Sequence, residues 1–456
     1  NEVQQRAIAH VRAAEDVALV HGPPGTGKTT TLVEAIRQVL IDEPRVLVCA
    51  PSNTAVDLLV EKLAQAGVRP LRLGHPARIG SAAEPWALEA QMEQHPMYKV
   101  LQELRRDIRE TRRQALRFRR NYGPEQRDER RSMLNEATRL RRELRTLEQR
   151  MTQDVLHRAQ AIVCTLVGAG QELLQRQRFR TVFIDEAAQA IEGACWIAIL
   201  KAQRVIFAGD HCQLPPTIKS QEAARKGLAN TLFEKVMGRR PEAGVMLTRQ
   251  YRMNEAIMGF SSLQFYRGEL EADASVAARV LNPESDDPLV ATPLLWVDTA
   301  GCGYEETLNP ESKSYANPEE AALAGRILER LATLHPTPAT LGVIAPYREQ
   351  VQALDELVTQ LRPKLPEAWE ISVDTVDGFQ GQERDIMLIC MTRSNERSEI
   401  GFLGDTRRMN VAITRAKSKL LLIGDSATLG AHPFYRAFLE YVEAHDAWDS
   451  AWNWMP

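Results

Sequence analysis

Short continuous apolar runs recur through the first part of the chain, over residues 17–20, 46–50, 161–165, 181–185 and 205–208. Runs without polar alternation predict strands buried on both faces, hence a mostly parallel sheet covered by helices. Helical periodicity falls between them, as over residues 32–40. Between about residues 67 and 151 the pattern changes. Met133, Ala137, Leu140, Leu144, Leu147 and Met151 alternate spacings of four and three, as do Leu101, Leu104 and Ile108, and Gly123-Pro124 separates the two sets. This predicts an antiparallel helical hairpin with a coiled-coil seam, each arm of ~24 residues and ~36 Å. From about Gly244 a second alternating set begins, with strands over 245–248, 294–297, 341–345, 371–373, 386–390 and 420–423 and helices over 318–334 and 347–361. The expected architecture is α/β: a first domain of residues 1–66 and 151–243, a hairpin inserted at 67–150, and a second domain of 244–456. Residues 271–293 read as polar loop, and Trp448, Trp452 and Trp454 as a tail docked on a domain face.

Composition narrows this little. At 456 residues, two or three domains are expected, and 44% apolar with 26% charged residues is ordinary globular chemistry. No apolar run approaches the ~20 residues of a membrane span, and no signal-peptide pattern opens the sequence. The six cysteines show no C-x-x-C pair, and the nine histidines show no zinc-type spacing. Cys49, Cys164 and Cys390 lie in strand-like runs, which predicts buried thiols in a reducing, intracellular compartment, cytoplasmic or nuclear. A net charge of −3 argues against indiscriminate binding to nucleic acid. Residues 99–150 depart from it, with 17 basic against 9 acidic side chains. They read either as a solvated outer face or as a basic arm against a phosphate backbone.

The candidate chemistry starts at His21-Gly22-Pro23-Pro24-Gly25-Thr26-Gly27-Lys28-Thr29-Thr30, between a predicted strand and a predicted helix. G-x-x-x-x-G-K-T in that context is a phosphate-binding loop. Its glycines let backbone N–H groups face phosphate oxygens; Lys28 is placed for the β/γ-phosphates and Thr29 for Mg²⁺. Asp185 and Glu186 close a buried strand. Asp185 is expected in the Mg²⁺ shell, and Glu186 as the group that orients and deprotonates water. Gln213, within GDHCQLPPT, can sense a γ-phosphate from a loop stiffened by Pro215 and Pro216. Arg252 and Arg415 sit in the motifs QYRM and RRMNVAITRAK of the second domain. An arginine reaching across a cleft can be worth ~10³–10⁵ in rate.

Together these motifs resemble the superfamily 1 helicases of the Upf/Smubp-like branch. The resemblance runs from Asn1-Glu2-Val3-Gln4 through HGPPGTGKTT, APSNTAVDLLVEKL, CTLVGAG, FIDEAAQAIE, GDHCQLPPT, LTRQYRMNEAI, VDTAGCG and VDTVDGFQGQERD to RRMNVAITRAK. It implies two RecA-like domains with ATP and Mg²⁺ between them, and single-stranded RNA or DNA crossing both, in a monomer moving 5′→3′. An ATP-gated clamp with little unwinding is the alternative. By the same resemblance Gln4 reads adenine, Tyr251 stacks on it, Glu383 lies near the ribose, and Arg252 and Arg415 contact the γ-phosphate. Pro51, Ser52, Asn53, Thr165 and Thr375 fall in motifs that hold the sugar–phosphate backbone. Members usually carry a β-barrel accessory domain before the glutamine motif, and this sequence begins after that point. Cys212 stands where relatives usually have lysine. Asp298 with Glu311-Ser312-Lys313 mimics a nuclease pattern, but within a stretch that the helicase resemblance covers.

Overall fold

The computed structural model describes residues 1–117 and 123–455. The first sheet has seven strands: β1 (Val17–His21), β2 (Val46–Ala50), β3 (Pro70–Leu73), β4 (Ala161–Thr165), β5 (Phe179–Ile184), β6 (Ala202–Gly209) and β7 (Gly244–Met246). All are parallel, in the order β3-β4-β2-β5-β6-β1-β7. Alternate residues feed two apolar layers. Ala18, Val20, Val46 and Val48 pack with helices α1 (Glu2–Ala13), α2 (Lys28–Val39) and α3 (Asn53–Gln65). Leu19, Leu47 and Cys49 pack on the other face with Leu156, Phe207 and Phe233. With a core on each side, the strand positions are buried or half-buried except near the starts of β5 and β6, where Arg180 and Gln203 are exposed, so the sequence shows runs instead of alternation.

Two expected boundaries move. Residues 70–73, assigned above to the insertion, form edge strand β3, paired in register with β4. A strand opening on proline at a sheet edge loses no ladder hydrogen bond, but it carries a weak strand signal. Residues 244–246, assigned to the second domain, form β7 against β1 in the first sheet.

The insertion contains α4 (Leu88–Glu93) and the paired helices α5 (Tyr98–Ala115) and α6 (Pro124–Arg158). The arms are unequal, 18 and 35 residues, where equal ones were expected. Pro124 sets the first turn of α6, and at the other end Val155 and Leu156 bury in the first-domain core, which carries the helix past the seam. Leu101, Ile108, Ala137 and Met151 of the seam are buried. Arg105 bridges the arms to Glu148 at 2.7 Å. No described helix is long and apolar enough to cross a membrane.

Two-residue strands β8 (Arg249–Gln250) and β9 (Glu271–Ala272) lead into the second sheet. Its strands are β10 (Leu294–Asp298), β13 (Ala339–Ala345), β14 (Trp369–Thr375), β15 (Arg384–Cys390), β16 (Ala416–Gly424) and β17 (Trp448–Ser450), with the hairpin β11 (Thr307–Asn309) and β12 (Ser314–Ala316) outside it. The order β14-β13-β15-β16-β10-β17 is again wholly parallel. The chain thus folds as two RecA-like α/β units, the first carrying the hairpin. Of the tail tryptophans Trp454 packs into the second core, while Trp448 and Trp452 stay exposed. The nuclease-like residues are otherwise engaged: Asp298 accepts from the N–H and hydroxyl of Ser426, and Glu311 lies exposed near the turn of the β11–β12 hairpin.

Candidate active site

Gly25 and Gly27 both take φ of +75°, a left-handed conformation that side chains disfavour, and they turn the chain from β1 into α2. Asn1 and Ser52 cap α1 and α3 with their side chains, whereas Gly27 at the start of α2 offers none. The first-turn N–H groups of α2 therefore stay free for an anion. Thr26 closes the loop, its hydroxyl donating to the Pro23 carbonyl at 2.7 Å. A Cβ at Gly22 would lie 2.5 Å from Cβ of Lys28, so this loop admits no bulkier residue there.

Lys28 Nζ lies 2.5 Å from Glu186 Oε1 and 3.2 Å from Asp185 Oδ1. Burial pulls the ammonium down, and the two carboxylates outweigh it, so Lys28 titrates above an ordinary lysine. Glu186 sits at φ 51°, a left-handed conformation unusual for glutamate, and Gln189 donates to its other oxygen at 2.7 Å. Strain of this kind concentrates at functional positions. The Asp185 and Glu186 carboxylates and the Thr29 hydroxyl are oxygen donors of the kind a hard divalent cation takes.

The second domain closes the opposite wall. One cleft of about 760 Å³ is lined by residues 22–30, Glu186 and Gln213 on one side and by Tyr251, Arg252, Glu383 and Arg415 on the other. The contact is close: Tyr251 N donates to the Gly25 carbonyl at 2.8 Å, and a Cβ on Gly25 would come within 2.8 Å of Arg252 Cβ. Arg252 Nε donates to Glu383 at 2.6 Å and its Nη1 to the Thr414 carbonyl at 3.0 Å. Burial would raise the Glu383 carboxyl, but Arg252 and Lys417 hold it below its ordinary value. Arg415 is buried and bonded to the carbonyls of Val411 and Gln382. Burial, with Arg252 nearby, pushes it down to about 9. Gln4 donates to the Thr26 carbonyl at 3.0 Å, at the rim of the same loop.

The five nucleic-acid candidates cluster at strand C-termini, where open parallel sheets bind ligands. Pro51 and Ser52 follow β2; Thr165 ends β4 next to Ala50 and accepts from Gly168 N–H at 3.0 Å; Thr375 ends β14. Two of them are not free for a strand as they stand. Ser52 caps α3 and lines the nucleotide cleft, and Asn53 accepts from Arg72 at 2.9 Å. Arg72, fully buried between Asn53 and Asp57, gives no signal in sequence. Nor does the pairing that joins the domains, although His21, Asp210, Cys212, Gln213 and Asn410 fall in the motifs HGPPGTGKTT, GDHCQLPPT and RRMNVAITRAK. Asp210 accepts from His21 at 3.0 Å, Gln213 at 2.7 Å and Tyr266 at 2.7 Å, while Asn410 donates to Tyr266 and to the Cys212 carbonyl. Burial would raise the Asp210 carboxyl; the donors outweigh it and hold it low.

Two family descriptions, each an AAA domain, match residues 1–221 and 228–427. An uncharacterized ATP-dependent helicase of Methanocaldococcus jannaschii is 34% identical over 97% of this chain and 70% of its own length. The chain belongs to the superfamily 1 helicases of the Upf/Smubp-like branch. Within that family, the DNA-binding protein SMUBP-2 of Mesocricetus auratus is 38% identical over 99% of this chain and 45% of its own length. The DNA polymerase alpha-associated DNA helicase A of Saccharomyces cerevisiae is 35% identical, over 98% of this chain and 67% of its own. The chain thus spans between about half and two thirds of these helicase-family relatives.

Proposed function

We propose that this chain is an ATP-driven motor on single-stranded RNA or DNA, a helicase moving 5′→3′. The observation that carries the reading is the shared cleft: Lys28, Asp185 and Glu186 from one domain face Arg252 and Arg415 from the other. The triphosphate lies along residues 22–30, and Lys28 leaves its carboxylate partners for the β/γ-phosphates. Thr29 and Asp185 hold Mg²⁺, which supplies charge neutralisation on the phosphates. Glu186, released from Lys28, accepts a proton from the attacking water. Arg252 and Arg415 stabilise charge on the transferring phosphoryl group, so hydrolysis depends on the domains being together. Gln4, Tyr251 and Glu383 border the nucleoside end. Gln213 is bonded to Asp210, which also holds Tyr266, so a change at the γ-phosphate reaches the second domain through that joint. The strand crosses the C-terminal ends of both sheets, past Pro51, Ser52, Asn53, Thr165 and Thr375, and the basic hairpin extends its path. Six free cysteines, five of them buried, fit an intracellular protein.

ATPase rates measured with and without matched single-stranded RNA and DNA test the reading. Turnover should rise severalfold with one or both, and no response would remove nucleic acid from the cycle. A duplex with a 5′ overhang then separates a helicase, which displaces the strand, from an ATP-gated clamp, which does not.

A further inference from the structure

Beside the phosphate loop, at the C-terminal ends of β1 and β6, four side chains converge that nucleotide chemistry does not require as a set. His21, Asp210, His211 and Cys212 each offer a ligand atom, and all these atoms lie within 4.8 Å of one another. Three of the four residues are buried and His211 is half-buried. His21 Nε2 is 3.0 Å from Asp210 Oδ1, and Cys212 Sγ is 3.6 Å from His211 Nε2. Nδ1 of His211 is buried with no hydrogen-bond partner. One ring binds an ion through one nitrogen only, and ligation through Nδ1 would satisfy the unpaired one.

We propose that these four residues form a site for a soft divalent transition-metal ion of the Zn²⁺ class, separate from the Mg²⁺ position at Thr29 and Asp185. Two imidazoles, one thiolate and one carboxylate are a complete tetrahedral donor set. Ligand atoms around zinc lie roughly 3.3–3.8 Å apart at bond lengths of ~2.0–2.3 Å. A spread of up to 4.8 Å therefore has to close by about 1 Å when the ion binds. Cys212 binds as the thiolate and releases its proton to solvent, Asp210 binds as carboxylate, and both histidines bind neutral. The dication and two anions then sum to zero, so the buried centre carries no net charge. Mg²⁺ prefers oxygen and would gain only one carboxylate here. An outer shell is already in place, since Tyr266 and Gln213 donate to Asp210 Oδ2, while Oδ1, directed to His21, also accepts the Cys212 N–H at 3.0 Å.

The site lies on the joint between the domains. His21 leads into the phosphate loop, Gln213 lines the cleft, and Asn410 of the second domain donates to the Cys212 carbonyl at 2.8 Å. A bound ion ties these segments together and slows the opening and closing of the cleft. That consequence rests on the ATPase reading above; the metal site itself does not.

The test is a Co²⁺ titration of the intact, nucleotide-free chain in excess Mg²⁺, followed by Zn²⁺ competition. One equivalent of Co²⁺ should produce a thiolate-to-cobalt charge-transfer band that Zn²⁺ abolishes. Cys212→Ser should lose the band and weaken Zn²⁺ binding about 100-fold or more. Co²⁺ binding without the thiolate band, or equal Zn²⁺ affinity in wild type and Cys212→Ser, overturns the proposal. Should Cys212→Ser not fold, X-ray absorption on the Zn²⁺-loaded wild-type chain decides: one sulfur among the zinc ligands supports the site, and a shell of nitrogen and oxygen alone overturns it. With the metal bound, a lower ATPase rate restored by a chelator supports the coupling to turnover; an unchanged rate overturns that coupling and leaves the binding result standing.

Discussion

At the scale of single residues, Lys28 and Glu186 hold each other in a resting arrangement. The 2.5 Å contact satisfies the ammonium without phosphate, and it occupies an oxygen of the carboxylate proposed above to take a proton from water. Glu186→Gln keeps the size and hydrogen bonding of the side chain but removes its basicity. Nucleotide binding should persist while turnover falls about 10²–10⁴-fold, measured as single-turnover hydrolysis beside equilibrium binding. A second buried carboxylate, Glu320, has no role in the cleft. It accepts the Thr392 N–H through both oxygens, and burial, opposed by the Thr392 and Met391 amides, pushes it up to about 8. The folded state therefore holds a proton that the unfolded chain releases from 4.5 upward, and this contribution to stability is lost as pH rises toward 8. Glu320→Gln should flatten that loss, gaining on the order of 1–3 kcal/mol over wild type at alkaline pH in thermal melts across the range. Parallel curves for the two proteins would count against the assignment.

At the scale of elements, the proposed path for nucleic acid joins the strand ends to the hairpin. Between α5 and α6 a groove is lined by Lys99, Arg105, Arg106, Arg109 and Arg141. Arg105 is partly spent on Glu148 at 2.7 Å and Arg106 lies 3.6 Å from Asp107, and Arg106, Arg109 and Arg141 are all exposed. Replacing those three by Gln leaves the apolar seam untouched. Strand affinity should fall and the slope of log affinity against log salt should flatten by up to about three, one for each phosphate contact removed. An unchanged slope would return the hairpin charges to a solvated face. The two candidate readings of this basic stretch are thus separable by salt alone.

At the scale of the whole molecule, the domains are joined by one buried polar network as well as by apolar packing. Cys212 and Leu214 of the first domain pack into the same core as Met253, Phe260 and Trp296 of the second. Asp210 ties His21 and Gln213 to Tyr266, and through it to Asn410. Tyr266→Phe removes the hydroxyl at the centre of that network and leaves partners unpaired, at a cost of about 1–3 kcal/mol. Nucleotide affinity should survive, because no atom of Tyr266 lines the cleft, while stimulation of ATPase by single strands should drop severalfold. A stimulation ratio equal to wild type would show that the joint is structural only.

The sequence by itself determined the parallel α/β layers, the phosphate loop, the carboxylate pair after β5 and the place of the hairpin. Each of these is written within a dozen or so neighbouring residues, in continuous apolar runs, in glycines that permit left-handed turns, or in a heptad spacing. Tertiary structure alone decided which sheet takes the weak edge strand β3 and the short strand β7, and how far α6 runs. It also decided that Arg72 locks Asn53, and that His21 meets Asp210 across 189 residues of chain. These outcomes depend on which faces meet once both sheets are packed, and pairings over such separations leave no periodic trace in the chain. The cluster of His21, Asp210, His211 and Cys212 is the clearest case: the last three are adjacent in sequence, and His21 joins them only because β1 and β6 lie side by side in the folded sheet.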